Sequence, residues 1–217
     1  NGKGSTCAYL EAILGAAGYR TGLYTSPHLL RYNERVKITG REVSDAELVA
    51  AFERVDQARG DVSLTYFEFG TLGAMVRFID ADIDVAILEV GLGGRLDAVN
   101  VFDADVAVVA SVDLDHMDYL GDSREKIGFE KAGIYRTGHP AICVDPAPPD
   151  SLLAHARRIG ADLRCVDRDF SAQREGDHWA YRSLDTRWGG LPLPTMVGAC
   201  QLRNATGALA ALDAVRD

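Results

Sequence analysis

The sequence lacks an excess of basic residues and contains no long apolar run. Its 217 residues carry a formal net charge of −9. A protein that follows a nucleic-acid backbone needs a basic face, so this charge argues against DNA or RNA as a partner. No apolar run reaches the roughly 18 residues that a membrane helix requires, and no secretory signal opens the chain. We therefore expect a cytoplasmic protein with no nucleic-acid partner and no membrane contact.

Cysteine is also scarce, and no two cysteines form a C-x-x-C pair. The four are Cys7, Cys143, Cys165 and Cys200. All have apolar or small neighbours, which favours buried free thiols over disulfides or a zinc site.

Helix and strand patterns alternate along the chain. The segments DVAILEV (84–90) and DVAVVASV (105–112) are apolar, rich in β-branched residues and without alternation, which predicts strands buried on both faces of a parallel sheet. Further strands are predicted at TGLYTS and PAICVD. Helices are predicted at 5–18, 44–60, 66–81, 124–136, 151–161 and 204–217. This order predicts an α/β fold with a mostly parallel, doubly wound sheet and flanking helices.

Two local patterns refine this prediction. Ser44 and Glu47 form a capping box at the start of the second helix, and Gly60 ends it. Between Asp162 and Pro194 the segments DLRCV and DHWAYRS are short and polar with turns between them. They predict a small antiparallel flap in the C-terminal third of the chain.

The opening run NGKGST precedes a predicted helix and fits the end of a phosphate-binding loop. In such loops backbone N–H groups and a helix N-terminus hold phosphate oxygens. Lys3 would reach the outer phosphates, and Ser5 or Thr6 would offer a hydroxyl to Mg²⁺. A glycine separates Lys3 from Ser5, unlike the common GK[ST] form. The alternative is a glycine-rich terminus capped by Ser5.

Two charged residues stand in apolar surroundings. Glu89 lies inside a predicted buried strand, where a carboxylate is costly unless it is paired or binds a metal. It is either a Mg²⁺ ligand or the partner of Arg95 or a lysine. Lys131 lies on a predicted helix, and by composition it is an exposed lysine paired with Glu130 or Glu125.

Asp113, Asp115, His116 and Asp118 fall within six residues at the end of a predicted strand. A histidine among three acids at such a place is a candidate metal ligand or base. Asp115 and Asp118 also suit a helix-capping loop.

The motifs NGKGST, GLYTSPHLLRYNERVKI, TYFEFGTL, ILEVGLGGRLDAVN, LDHMDYLG, EKAGI and NATGALAAL occur together and in order. In this combination the chain resembles the folylpolyglutamate synthase family, specifically the bacterial bifunctional enzymes that are also dihydrofolate synthases. That family belongs to the Mur-ligase superfamily of ATP-dependent amide-forming enzymes. The resemblance implies that residues 1–217 are the central ATP-binding domain. It also implies that the first strand and the start of the phosphate loop precede Asn1, and that a C-terminal domain follows Asp217.

The resemblance also implies the roles of individual residues. It places ATP against Asn1, Gly2, Lys3, Gly4, Ser5 and Asn204. It assigns two magnesium ions to Ser5, Ser26, Glu89, His116 and Lys131, with Lys131 matching a lysine that is carbamylated in the family. It assigns the pteroate part of the substrate to Thr65, Tyr66, Phe67 and Asp97. Lys3, His116 and Lys131 are the implied catalytic residues, and Arg31 and Arg35 are further candidates for contacts with anionic substrate groups.

The implied reaction adds L-glutamate to dihydropteroate or to folate tails. ATP converts the carboxylate to an acyl phosphate, and ADP and phosphate are released. The expected partners are these small molecules, and the expected state is a monomer; residues 1–217 alone are expected to be inactive. The alternatives are another Mur-type amino-acid ligase, a P-loop kinase or GTPase, and a nucleotide-binding module without catalysis. TYFEF and SPHL favour folate.

Overall fold

The computed structural model describes residues 1–114 and 121–216. The chain forms two compact units. The larger unit consists of Asn1–Tyr9, Gly93–Leu96 and Phe102–Asp217, and the smaller unit of Leu10–Leu92 and Asp97–Val101.

The smaller unit contains a four-stranded sheet in the order β3-β2-β1-β4. Its strands are β1 (Thr21–Tyr24), β2 (Val36–Ile38), β3 (Arg41–Glu42) and β4 (Val85–Leu88). β1 runs parallel to β4 and antiparallel to β2. Residues 25, 26 and 89, which follow β1 and β4, therefore lie at the same edge of this sheet.

Helices α1 (Lys3–Ala16), α2 (Asp45–Arg59) and α3 (Tyr66–Asp80) precede β4. The first residues of α1 belong to the larger unit. A capping box formed by Ser44 and Glu47 opens α2, as predicted, and Thr65 and Glu68 form a second one at α3. Helices α2 and α3 pack together, and α3 also packs on β1, where a Cβ at Gly22 would lie 2.6 Å from Ile83 and 2.7 Å from Phe78.

The larger unit contains a parallel sheet in the order β5-β6-β7. Its strands are β5 (Ala107–Val109), β6 (Pro140–Cys143) and β7 (Asp162–Cys165). Helices α4 (Arg124–Ala132), α5 (Asp150–Ile159) and α6 (Gln201–Ala214) accompany it. Ile127 of α4 and Leu152 of α5 are fully buried against the sheet. This apolar packing fixes the strand ends that carry the polar residues described below.

A second sheet of the larger unit is antiparallel, in the order β10-β9-β8. It consists of β8 (Ser171–Glu175), β9 (His178–Arg182) and β10 (Arg187–Pro192), and we call these three strands the flap. The Asp213 carboxylate of α6 accepts hydrogen bonds from the hydroxyls of Tyr181, Ser183 and Thr186. These bonds fasten the flap to α6.

The α/β class, the parallel strands with flanking helices and the antiparallel flap confirm the predicted fold. One segment was assigned wrongly: DLRCV is β7 and pairs in parallel with β6, with Ala141 opposite Leu163. Its Cys165 belongs to the buried core, and this favoured the parallel sheet over the flap despite the polar residues around it.

Three smaller expectations also need correction. Ala86 of β4 is exposed, because within the described residues β4 is the outermost strand of its sheet and is covered less than predicted. Cys200 is exposed, whereas the other three cysteines are buried. Helix α6 begins at Gln201, a turn before the predicted start.

None of the helices in the described ranges is both long enough and apolar enough to cross a membrane.

Candidate functional site

The loop at the start of the chain leads directly into a helix. Helix α1 begins at Lys3, and both the amide and the hydroxyl of Thr6 donate to the carbonyl of Gly2 at 3.0 Å. Gly2 has a φ of +88°, and a Cβ atom there would lie 2.6 Å from Oδ1 of Asn204. The loop thus requires glycine at this position. It presents a helix N-terminus, whose free N–H groups and dipole suit an anion.

Side chains at the start of α6 hold this loop. Gln201, the first residue of α6, donates from Nε2 to the Ser5 hydroxyl at 3.3 Å. Its Oε1 accepts from Nδ2 of Asn204 at 3.2 Å and from the Tyr9 hydroxyl at 3.4 Å. Gln201 was not predicted from the sequence, although its position one helical turn before Asn204 was a usable signal.

Ser111 supports the same loop from the sheet. It lies just beyond β5, and its hydroxyl donates to the carbonyl of Asn1 at 3.1 Å. Ser111 was not predicted from the sequence either. Its place at the carboxyl end of a parallel strand is where ligand-binding residues of α/β folds gather.

Glu89 follows β4 in the smaller unit and is only 7% exposed. Its Oε2 accepts a hydrogen bond from the amide of Ser26 at 3.1 Å, and its own amide donates to the carbonyl of Tyr24 at 2.9 Å. The structure therefore brings Ser26 and Glu89 together at one edge of the sheet. A hydroxyl and a carboxylate there are oxygen donors of the kind that a hard cation takes.

Lys131 is the penultimate residue of α4 and is partly buried. The two acids that composition suggested as its partners have other contacts. Glu130 binds Arg95 at 2.9 Å, and the Glu125 carboxylate accepts the amide of Ser151 at the start of α5 at 2.7 Å. Arg95 also contacts the backbone of this helix, since its amide donates to the carbonyl of Glu130 at 2.8 Å.

The remaining predicted metal ligand, His116, lies outside the described residues, as do Asp115 and Asp118. Asp113 is described and exposed. Across residues 1–114 and 121–216, no three histidine, cysteine, aspartate or glutamate side chains cluster in a way that could hold a metal ion.

The residues predicted to bind pteroate share the smaller unit. The Thr65 hydroxyl accepts the Glu68 amide as the cap of α3, and Tyr66 is 64% exposed. A Cβ atom at Gly91 would lie 2.8 Å from the Phe67 ring and 3.3 Å from Oδ2 of Asp97. Gly91 therefore lets Phe67 and Asp97 approach the same stretch of backbone.

Asp97 has defined backbone contacts. Its two carboxylate oxygens accept the amides of Leu92 and Val99 at 2.9 and 3.1 Å. These bonds hold the glycine-rich segment that follows β4 and fix the orientation of the Asp97 carboxylate.

A cluster of aromatic and basic side chains adjoins Tyr66. Arg35 is 8% exposed, its guanidinium lies 5.4 Å from the Tyr32 ring centre and 5.6 Å from that of Tyr66, and its Nε donates to Nδ1 of His28 at 2.8 Å. Among the described residues it forms no ion pair with a carboxylate. Arg31, by contrast, is exposed and pairs with Asp45 at 2.8 Å. Burial of a charge without a counter-charge makes Arg35 the stronger candidate for an anionic ligand.

Glu34 shapes the loop before this cluster. Its carboxylate accepts the amides of Leu29, Leu30 and Arg31 at 2.7–2.8 Å. These bonds lower the pKa of Glu34 to about 2. The charged carboxylate thus holds three consecutive amides of the segment that follows Ser26.

Comparisons with known proteins cover almost the whole chain. The family described as the Mur ligase middle domain matches residues 1–212. The dihydrofolate synthase/folylpolyglutamate synthase of Escherichia coli K12 is 50% identical over 223 residues, which cover 99% of this chain and 50% of that protein. The chain thus spans about half the length of this relative.

Among solved structures, the chain is similar to enzymes of the same name over almost its whole length. The structure of Escherichia coli FolC in complex with DHPP and ADP matches with a TM-score of 0.94 and 50% identity, over 99% of this chain and 51% of that one. A bifunctional folylpolyglutamate synthase/dihydrofolate synthase with Mn, AMPPNP and L-glutamate bound matches with a TM-score of 0.92 and 51% identity, over the same shares.

Proposed function

The chain belongs to the Mur ligase middle-domain family, and from that premise we propose that it is the ATP-binding part of a dihydrofolate synthase/folylpolyglutamate synthase. The observation that carries the proposal is the phosphate loop, in which Gly2 opens α1 against Asn204. It occurs in a chain that is 50% identical, over 99% of its length, to an enzyme with that name. Residues 1–217 are proposed as one central domain, in keeping with the family match over residues 1–212.

The proposed reaction joins a folate or dihydropteroate carboxylate to the amine of L-glutamate. A carboxylate is a poor electrophile because oxide would have to leave. Transfer of the γ-phosphoryl group of ATP to the carboxylate oxygen gives an acyl phosphate and ADP, and attack by the amine then expels phosphate. The carboxylate, the amine and the departing phosphate all belong to the substrates. The protein therefore mainly positions these groups and stabilises the charge that develops on them.

The phosphates of ATP are proposed to bind at residues 1–5. The N-terminal amides of α1 and the cationic Lys3 offset the negative charge of the phosphates, and Asn204 lies against the loop at Gly2. Gln201 and Ser111 keep the loop in place through Ser5 and Asn1. The α1 amides and Lys3 would raise the rate by neutralising charge on the transferred phosphoryl group.

A divalent cation is part of the proposal, since the related bifunctional enzyme was solved with Mn. Within the smaller unit, the nearly buried Glu89 carboxylate and Ser26, whose amide it accepts, offer oxygen donors that fit a hard cation. We propose Ser5, Ser26, Glu89, His116 and Lys131 as ligands of magnesium, with two ions in all. When bound, the metal would supply positive charge to the transferring phosphoryl group.

Lys131 is proposed to act as a carbamate. Its neutral amine would add to CO₂, forming an N–C bond and releasing one proton, which turns a cationic side chain into an anionic oxygen donor. Lys131 is partly buried and adjoins the core residue Ala132, so its side chain starts from a fixed point of α4. His116 is proposed as a metal ligand rather than a base, because coordination occupies its lone pair.

The folate substrate is proposed to lie against Thr65, Tyr66, Phe67 and Asp97, with an aromatic face suited to a flat heterocycle. Arg35 is proposed to contact an anionic group of that substrate. We further propose a cytoplasmic monomer that binds only these small molecules.

The test is ADP release by the complete gene product with ATP, Mg²⁺, L-glutamate and either dihydropteroate or tetrahydrofolate. We expect release only when glutamate and a folate substrate are both present. A peptidoglycan-precursor substrate tests the alternative Mur-type ligase, and turnover with that substrate instead of folates would overturn the proposal. Residues 1–217 alone are expected to show little or no turnover, and folate-dependent ADP release at the rate of the complete protein would contradict this.

A further inference from the structure

One charged pair holds both backbone polar groups of a single buried residue. Oδ2 of Asp145 accepts the amide of Val112 at 2.7 Å, and Nε of Arg124 donates to the carbonyl of Val112 at 2.8 Å. Nη2 of Arg124 donates to both Asp145 oxygens at 3.0–3.1 Å. Val112 is fully buried, and Asp145 is 4% exposed. The backbone at Val112 is therefore fixed from both sides.

The pair joins three elements of the larger unit. Val112 follows β5, Asp145 follows β6, and Arg124 is the first residue of α4. Arg124 also donates to the carbonyl of Ala147 at 3.0 Å, and the Ala147 amide donates to Asp145 at 2.9 Å. A nearly buried carboxylate is costly unless its oxygens are hydrogen-bonded, and these contacts meet that need.

The residue next to this pair supports the phosphate loop. Ser111 precedes Val112, and its hydroxyl donates to the carbonyl of Asn1 at 3.1 Å. Asn1 adjoins Gly2, where the backbone passes close to Asn204. A continuous set of contacts thus runs from Arg124 and Asp145 through Val112 and Ser111 to the loop. A small shift of Val112 would move the Ser111 hydroxyl relative to Asn1.

We propose that Arg124 and Asp145 are positioning residues for nucleotide binding: they fix Val112, so that Ser111 holds the phosphate loop in its binding form. The inference rests on the proposed function, because it takes residues 1–5 as the site of the ATP phosphates. Neither residue is assigned a contact with the nucleotide.

The experiment measures the affinity of the complete protein for ADP with Mg²⁺ by calorimetric titration. The variants are Arg124→Met, Ser111→Ala and the double variant. Each single substitution is expected to weaken binding about tenfold. If Arg124 acts through Ser111, the double variant will bind no more weakly than the weaker single variant, because effects along one path do not add. Arg124→Lys keeps the charge but loses the planar fork, and it is expected to fall between Arg124→Met and the unsubstituted protein.

The matched control is Arg164→Ala, which breaks an Arg–Asp contact on the same unit. Arg164 binds Asp162 at 2.8 Å, with the aspartate half exposed. This variant should bind Mg²⁺ and ADP like the unsubstituted protein. The melting temperature is measured for every variant to separate stability from affinity.

The proposal is overturned if Arg124→Met lowers the melting temperature yet binds Mg²⁺ and ADP normally, since the pair is then only structural. It is also overturned if the losses of the two single variants multiply in the double variant. Failure of the proposed function gives a different result, because the unsubstituted complete protein would then fail to bind Mg²⁺ and ADP.

Discussion

The backbone at Gly2 passes so close to Asn204 that a Cβ atom would lie 2.6 Å from the Asn204 side-chain oxygen. Gly2 also has a φ of +88°, a conformation that other L-residues rarely adopt. Two independent constraints therefore require glycine at this position. Both act on the loop to which we assign the phosphates of ATP.

Gly2→Ala should weaken the binding of ADP with Mg²⁺ by tenfold or more, because the loop must move to relieve both constraints. Gly15→Ala is the control on the same helix, since a Cβ there meets nothing within 4 Å. That change should leave affinity intact and stabilise the protein by about 0.5–1 kcal/mol. Titration and thermal unfolding measure the two effects, and a Gly2→Ala protein with normal affinity would refute the role of the loop.

Lys131→Ala should abolish ADP release by the complete enzyme, because it removes the proposed carbamate ligand. Lys126→Ala is the matched change on α4, where Lys126 is exposed and pairs with Asp122 at 2.9 Å. Initial rates across a range of Mg²⁺ concentrations compare the two variants. Near-normal turnover by Lys131→Ala, or equal losses in both variants, would contradict the assignment.

Arg35→Ala should raise the KM for the folate substrate by about 30-fold or more while the KM for ATP stays unchanged. Arg35 is buried between Tyr32 and Tyr66, and truncation of a buried charged group that binds an anion costs about 2–5 kcal/mol. Arg31→Ala is the comparison, because Arg31 is exposed and already paired with Asp45. Steady-state kinetics with each substrate varied in turn would contradict us if both variants behaved alike.

The loop that follows Ser26 should keep its three hydrogen bonds to the Glu34 carboxylate at unusually low pH. The pKa of Glu34 is lowered from an ordinary 4.5 to about 2 by the amides of Leu29, Arg31 and Leu30. A carboxyl with a lowered folded-state pKa contributes stability that is complete above about pH 4.5 and is lost as the pH falls through about 2.

The amide resonances of these three residues, followed by NMR as the pH is lowered, should shift with a midpoint near 2. In Glu34→Gln they should lack this transition and exchange faster at neutral pH. A midpoint near 4.5 in the unsubstituted protein would show that the carboxylate does not hold the loop.

Local structure could be predicted from the sequence where it depends on residues within one turn of each other. Ser44 and Glu47 predicted the start of α2, because both partners of a capping box lie within one turn. β7 was not readable in this way. Its polar residues suggested the flap, whereas its pairing with β6 and the packing of Leu163 and Cys165 on the core place it in the parallel sheet.

The same distinction applies to the candidate site. The resemblance pointed to Phe67 and Asp97, but their approach to Gly91 depends on the packing of α3 and of the segment after β4. Ser111 and Gln201 had positional signals, at the end of β5 and one turn before Asn204, but the partners that they hold, Asn1 and Ser5, are set by tertiary contacts. Tertiary contacts of that kind leave no periodic signal in a sequence.

Both tryptophans of the chain, Trp179 and Trp188, lie in the flap. Trp188 stacks on Tyr181 at 5.2 Å beneath the Arg216 guanidinium, and the Trp179 indole donates to the carbonyl of Pro192 at 2.9 Å. Intrinsic fluorescence excited at the indole band therefore reports on these three strands. A quenching or melting curve recorded in this way would report on the flap. To observe the phosphate loop, which contacts the opposite end of α6, a dye or nucleotide analogue would be needed.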